Sequence, residues 1–229
     1  MSCKLVTTSN EATSLGLFAK YWQPGQVKTR LAVAVGPERA AAIYRQFVRA
    51  ALARLAPLAV DRLMAYTPRQ RRAEFAAILS NRWRQQPQAD GDLGQRMKDY
   101  FANRFAEGYR RVVLLGTDSP NLPLEFVVQA LAELETHAVV LGPTEDGGYY
   151  LVGAQGPVVP PIFSGIAWST CHVWQQTIRA LQAAGTSFAV LPSWYDVDNV
   201  DDFQRLLDEL ADSKEPVLQK LHGQLSGLL

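Results

Sequence analysis

The chain has 229 residues, 48% of them hydrophobic, so a full core can form without disulfide or metal staples. Its 23 basic and 22 acidic side chains leave a formal charge of +1, which excludes a nucleic-acid footprint built on overall charge. Two distant cysteines, Cys3 and Cys171, exclude a zinc motif and a disulfide framework, and no apolar run reaches membrane-spanning length.

Residues 1–14 are polar and rich in Thr and Ser, and read as an N-terminal extension without the apolar stretch of a secretion signal. A cytoplasmic setting is expected, with residues 15–229 forming one domain. Leu15 to Ala19 is the first buried strand. It runs into a loop that carries Lys20, Lys28 and Arg30 around the Pro24-Gly25 turn. Each cation alone fits solvated surface; as a set they suit a diphosphate or triphosphate. From Pro37 the apolar residues Ala40, Ile43, Phe47, Ala50, Ala51 and Leu55 recur at helical spacing, and Pro57 ends the helix.

Leu58 to Tyr66 reads as the second strand and Arg69 to Leu79 as a further helix, whose arginines form a solvated face. Arg82 to Gln86 suits a short strand. Asp90 to Met97 is a glycine-bearing loop opening a helix through Phe101 and Phe105. There Asp92 could simply cap, or the helix start could accept an anion. Val112 to Leu115 is an unbroken apolar run, the mark of a strand buried on both faces, and Asp118 follows it directly. After Pro123 a helix reaches about Glu135, then Ala138 to Leu141 repeats the buried-strand pattern and ends at Glu145-Asp146-Gly147-Gly148. Tyr149 to Ala154 resumes as a strand, and Gly156 to Pro161 is a proline-rich crossing. Ser169 is expected to cap a helix ending near Ala184, with Gly185 as its stop. Phe188 to Leu191 is the last strand, followed by Asp196, Asp198 and an acid-started helix from Asp201 to Leu210; the tail after Ser213 is weakly helical.

Strands alternating with helices predict an α/β fold of three layers around a mostly parallel sheet. Parallel strands would gather Asp118, Glu145-Asp146 and Asp196 with Asp198 at one edge, and the cationic loop with Lys20, Lys28 and Arg30 would face them from the same edge. Such carboxylates suit Mg2+ or Mn2+ shared with substrate phosphates. No dinucleotide fingerprint or phosphate-loop lysine motif occurs, and His137, His172 and His222 have no metal spacing.

Five blocks carry a resemblance. They are Phe18-Ala19-Lys20-Tyr21 through Val27-Lys28-Thr29-Arg30-Leu31, Gly91 to Met97, Gly116 to Pro120, Glu145 to Leu151, and Asp196-Val197-Asp198-Asn199. In this order they resemble the radical-SAM/selenodomain-associated transferase 1 family, although Trp22 stands where the family usually has proline. The resemblance implies a nucleotide-diphospho-sugar transferase (glycosyltransferase-A-like) fold, with kinship to molybdenum-cofactor and phospholactate guanylyltransferases. It implies a metal-dependent transfer of a glycosyl group from a nucleotide-sugar, or of a nucleotidyl group from a nucleoside triphosphate to a phosphorylated acceptor. By similarity Asp118 and Asp198 would hold Mg2+ or Mn2+. Lys20, Lys28 and Arg30 would meet the phosphates, with Lys28 also catalytic. Asp92, Gly94 and Arg96 would border the nucleotide. Glu145 and Asp146 would face a small-molecule acceptor, with Asp146 its base. From its own spacing, not from the resemblance, Asp196 is expected to point to the opposite side from Asp198, two residues on, if this segment is extended. No nucleic-acid or membrane partner is expected, and a homodimer is compatible. The rival is a nucleotide-binding protein that keeps the phosphate loop without catalysis.

Overall fold

A computed structural model of the chain describes residues 13–156 and 161–228. Residues 1–12 of the expected extension and 157–160 of the proline-rich crossing lie outside the described residues. Strands β1 (Thr13–Lys20), β2 (Asp61–Thr67), β3 (Arg84–Pro87), β4 (Arg111–Leu115), β5 (Val139–Pro143), β6 (Tyr149–Gln155) and β7 (Phe188–Val190) form one sheet in the order β3-β2-β1-β4-β6-β5-β7. Only β6 is reversed, antiparallel to β4 and β5; the other pairings are parallel. The three apolar runs at Leu15, Val112 and Ala138 therefore lie in interior strands, with β4 parallel to β1 on one side and antiparallel to β6 on the other.

Burial follows the two-residue period of a strand. In β4, Val113 and Leu115 face one core while Val112 and Leu114 face another; in β2, Met64 and Tyr66 divide from Leu63 and Ala65 in the same way. The first core is closed by α1 (Thr29–Val35), α2 (Pro37–Leu55), α3 (Arg72–Ala76), α5 (Leu124–Glu133), α7 (Val200–Ala211) and α8 (Pro216–Ser226). The second is closed by α4 (Leu93–Ala106), α6 (Val173–Ala183) and a short 3-10 turn (Pro161–Phe163). This is the expected three-layer α/β arrangement, and each fully buried aliphatic side chain in it contributes roughly 1.5–3 kcal/mol.

Several local expectations need correction. Strand β2 begins at Asp61, because Leu58 donates its N–H to Leu55 O and Val60 to Leu58 O in the turn that ends α2. The helix expected over Arg69 to Leu79 is a 3-10 turn, Arg69–Arg71, followed by the five-residue α3. Ser169 sits at φ 63° in a turn, and α6 starts later, from His172. The tail is an ordered helix, whose Leu218, Leu221 and Leu225 are buried where α8 meets α2 and α7.

Candidate active site

The carboxyl ends of β1, β2 and β4, the turn after β5, the start of the reversed β6 and the segment carrying Asp196 and Asp198 open onto a cleft of about 660 Å3. That volume falls in the range of small-molecule sites. Of the residues singled out in the sequence, Lys20, Arg30, Arg96, Asp118, Asp146 and Asp198 line it. The edge is stitched together by backbone: Val197 N–H donates to Asp118 O at 2.9 Å, and Trp194 N–H to Pro143 O at 3.1 Å. The Tyr44 hydroxyl accepts from Lys20 N–H at 3.1 Å and lies 2.7 Å from Thr117 Oγ1, tying α2 to the ends of β1 and β4. Burial first, and then the nearby Asp118 charge, push this phenol up to about 12.

Asp198 is set by the helix that follows it. Asn199 caps α7, accepting from the N–H groups of Asp201 and Asp202, while Asp202 Oδ2 takes the N–H of Asn199 and, at 3.0 Å, that of Asp198. This reciprocal cap holds the backbone that aims Asp198 at Asp118. Between the two acids lies Lys28. Its ammonium forms ion pairs with Asp118 Oδ1 and, at 3.0 Å, with Asp198 Oδ1, and the Lys28 side chain is only 3% exposed. The sequence reading puts Lys28 on an open loop facing phosphates; the fold instead buries its charge beneath the carboxylates. Burial alone would favour losing the proton, but the two carboxylates outweigh it and hold the ammonium above the ordinary lysine range. The backbone of Lys28 is left-handed (φ 45°, ψ 46°) just before α1. A residue with a side chain held there costs about 1–3 kcal/mol, offset by surrounding contacts.

Arg30, by contrast, is 76% exposed, with Nη1 3.6 Å from Asp198 Oδ2. Lys20 Nζ donates to Gln26 O at 2.7 Å, and Arg96 Nε to Gly91 O at 2.9 Å. Each keeps further donors for a ligand. Asp92 is the N-cap of α4, accepting from Gln95 N–H at 2.8 Å, so its capping role is realised. Gly94 is buried, and a Cβ there would lie 2.1 Å from Trp168 Nε1 and 2.6 Å from Phe163 O; it makes room for close packing.

On the other side, Asp146 Oδ1 accepts from Thr144 Oγ1 and from Gly148 N–H, which fixes the turn into β6. Glu145 is turned toward Arg205, whose Nη1 lies 3.1 Å away. Asp196 overturns its expectation. Residues two apart on an extended segment share a side, and Asp196 lines the same cleft as Asp198. Its Oδ1 accepts from Ser119 Oγ at 2.6 Å, and burial, then the Asp118 charge, push its carboxyl well above the usual carboxylate range. The sequence reading also missed Trp168, which packs edge-on to Tyr149 and lines the cleft; its place beside the expected cap Ser169 was the available signal.

Among the described residues, no cluster of three or more His, Cys, Asp and Glu side chains is placed to hold a metal ion. Two convergent carboxylates still fit Mg2+, which commonly binds through one or two and takes its remaining oxygens from water and substrate phosphates. Lys28 engages the Oδ1 atoms of both acids and Arg30 Nη1 lies 3.6 Å from Asp198 Oδ2, so Asp118 Oδ2 is the less encumbered ligand and Asp198 Oδ2 would be shared with Arg30.

The family described as "Uncharacterized protein conserved in bacteria (DUF2064)" matches residues 50–170. A crystal structure of a "putative nucleotide-diphospho-sugar transferase" from Desulfovibrio desulfuricans is 36% identical, with a TM-score of 0.84 over 94% of this chain and 97% of that one. A nucleotidyl transferase from Methanothermobacter thermautotroptrophicus superposes with a TM-score of 0.59 at 13% identity, over 87% of this chain and 98% of that one. A cytidylyltransferase from Leptospira borgpetersenii gives 0.54 at 14% identity, over 94% of both chains. The last two similarities are of fold alone. The fold is that of the nucleotide-diphospho-sugar transferases. No curated protein matches.

Proposed function

The chain belongs to the DUF2064 family, and on that footing we propose that it is a transferase acting on a nucleotide-activated donor. The observation that carries this reading is the meeting, in one cleft, of the paired acids Asp118 and Asp198 with the donor-bearing cations Lys20, Arg30 and Arg96. A diphosphate needs cations at its oxygens, and a carboxylate pair beside them makes sense where a divalent ion accompanies the phosphates. The description of the Desulfovibrio relative favours a nucleotide-sugar as donor, with glycosyl transfer as the reaction; nucleotidyl transfer from a triphosphate is the alternative within the same site. The resemblance of the five sequence blocks to the radical-SAM/selenodomain-associated transferases supports the same choice.

In this reading Arg30, Lys20 and Arg96 bind the phosphates and hold the leaving group as its charge grows. Asp118 and Asp198 would hold Mg2+ or Mn2+, which when bound neutralises diphosphate charge. Asp146 stands on the acceptor side with Oδ1 occupied by Thr144 and Gly148, leaving Oδ2 to take the proton from an attacking hydroxyl. Trp168 offers an apolar face to the acceptor.

The test is turnover. A panel of nucleotide-sugars and nucleoside triphosphates is incubated with alcohol and phosphorylated acceptors and followed by phosphorus NMR. The expected result is metal-dependent release of nucleoside diphosphate from a nucleotide-sugar, lost in Asp118→Asn; release of pyrophosphate from a triphosphate would instead assign nucleotidyl transfer. Metal-dependent binding without turnover across the panel would instead identify a nucleotide-binding protein.

A further inference from the structure

We propose that Lys28 is the resident counter-ion of the Asp118–Asp198 pair and makes divalent-metal binding dependent on nucleotide. The inference rests on the assignment of those two acids as the metal pair. Lys28 bridges one oxygen of each acid, is 3% exposed, and lies about equally far from the rings of Tyr44 and Phe47, at 6.0 and 5.9 Å. The ammonium is therefore fixed in the wall beneath the carboxylates and does not reach into the cleft as a phosphate ligand would.

The charge arithmetic follows. Asp118 and Asp198 contribute two negative charges; Lys28, and Arg30 beside Asp198, contribute two positive ones. A divalent cation arriving alone meets a pair whose charge is already balanced, with an ammonium one carboxylate away. Arriving with nucleotide phosphates, it brings its own negative partners, and Arg30 is drawn toward those phosphates. Metal and nucleotide thus strengthen each other's binding, and by linkage the coupling is reciprocal. Lys28 is a positioning residue: it holds two acids together that would otherwise repel, and sets how strongly they attract a cation.

Mn2+ alone, followed by the electron paramagnetic resonance signal of the free ion, tests this without turnover. Lys28→Met should bind Mn2+ at least about tenfold more tightly than the parent protein. Lys28→Arg, which keeps the cation, should stay at the parent level. Adding Asp118→Asn to Lys28→Met should abolish the gain. Should Lys28→Met fail to fold by circular dichroism, Lys28→Gln, which keeps a donor for the carboxylates, carries the same expectation. Equal Mn2+ affinity in the parent and the uncharged variant overturns the proposal. The underlying site is judged separately, by whether Asp118→Asn removes the Mg2+-dependent thermal shift given by a mixture of ribonucleoside triphosphates. If that shift is lost while the Lys28 variants show no gain, the acids stand as the metal pair and the counter-ion role falls; if the shift survives, the metal-pair assignment falls and the proposal with it.

Discussion

Lys28, from near the start of the chain, joins one acid from its middle and one from its last part, and its replacement touches stability as well as binding. Removing the ammonium leaves Asp118 and Asp198 pressed together. Breaking a buried pair costs about 3–5 kcal/mol, but these carboxylates are 44% and 37% exposed and water screens them. The expected loss for Lys28→Ala is about 2 kcal/mol, measured by urea unfolding; a loss below about 0.5 kcal/mol, usual for surface positions, would show that the clamp is not formed in solution. Asp198→Asn is expected to lower Mg2+-dependent nucleotide affinity at least about tenfold while costing less stability than Lys28→Ala, because Lys28 keeps its pair with Asp118. Asp196→Asn should spare most of it, because Asp196 bonds Ser119 and makes no ion pair with Lys28. Titrating Mg2+ against nucleotide affinity in both variants separates them, and the reverse order would move the metal to Asp196. Asp118 and Asp198 could be read from the sequence because each follows an apolar strand. The clamp could not: Lys28 and Asp198 are 170 residues apart, and only the folded edge brings them together.

At the scale of elements, two helix starts shape the cleft. The Asn199 cap of α7 also fixes Asp198, so Asn199→Ala should cost about 1 kcal/mol and weaken metal-dependent nucleotide affinity together; a stability loss with unchanged affinity would uncouple the cap from the site. At α4, Gly94→Ala would drive a methyl into Trp168 and the Phe163 carbonyl. Overpacking of this kind costs about 1–3 kcal/mol, and the shift of Trp168 should be visible in its fluorescence; an unchanged spectrum and melting temperature would contradict the packing. The apolar strands and long α2 were legible because their periodicity is strong. α1 was not: with seven residues inside a loop that carries cations, it buries only Leu31 and leaves too short a pattern. α8 was hidden for a related reason, since its three buried leucines gain meaning only against α2 and α7.

For the whole molecule, alternation of strands and helices predicted a covered parallel sheet, and six of the seven strands share one direction. The reversal of β6 was not visible, because a buried antiparallel strand between two parallel ones has the same apolar run. Because β6 is reversed, it begins at the carboxyl edge where β5 ends, so the turn through Thr144, Asp146 and Gly148 and the start of β6 at Tyr149 both line the cleft. The central claim is that this edge binds a nucleotide-activated donor through Asp118, Asp198 and the facing cations. The most direct measurement is a thermal-shift series with nucleoside triphosphates and nucleotide-sugars, with and without Mg2+, on the parent protein and Asp118→Asn. A ligand at about a hundred times its dissociation constant adds about 2.7 kcal/mol, so at least one nucleotide should raise the melting temperature by several degrees with Mg2+ present, and the rise should vanish in Asp118→Asn. No shift with any nucleotide, or the same shift in Asp118→Asn, would contradict the account.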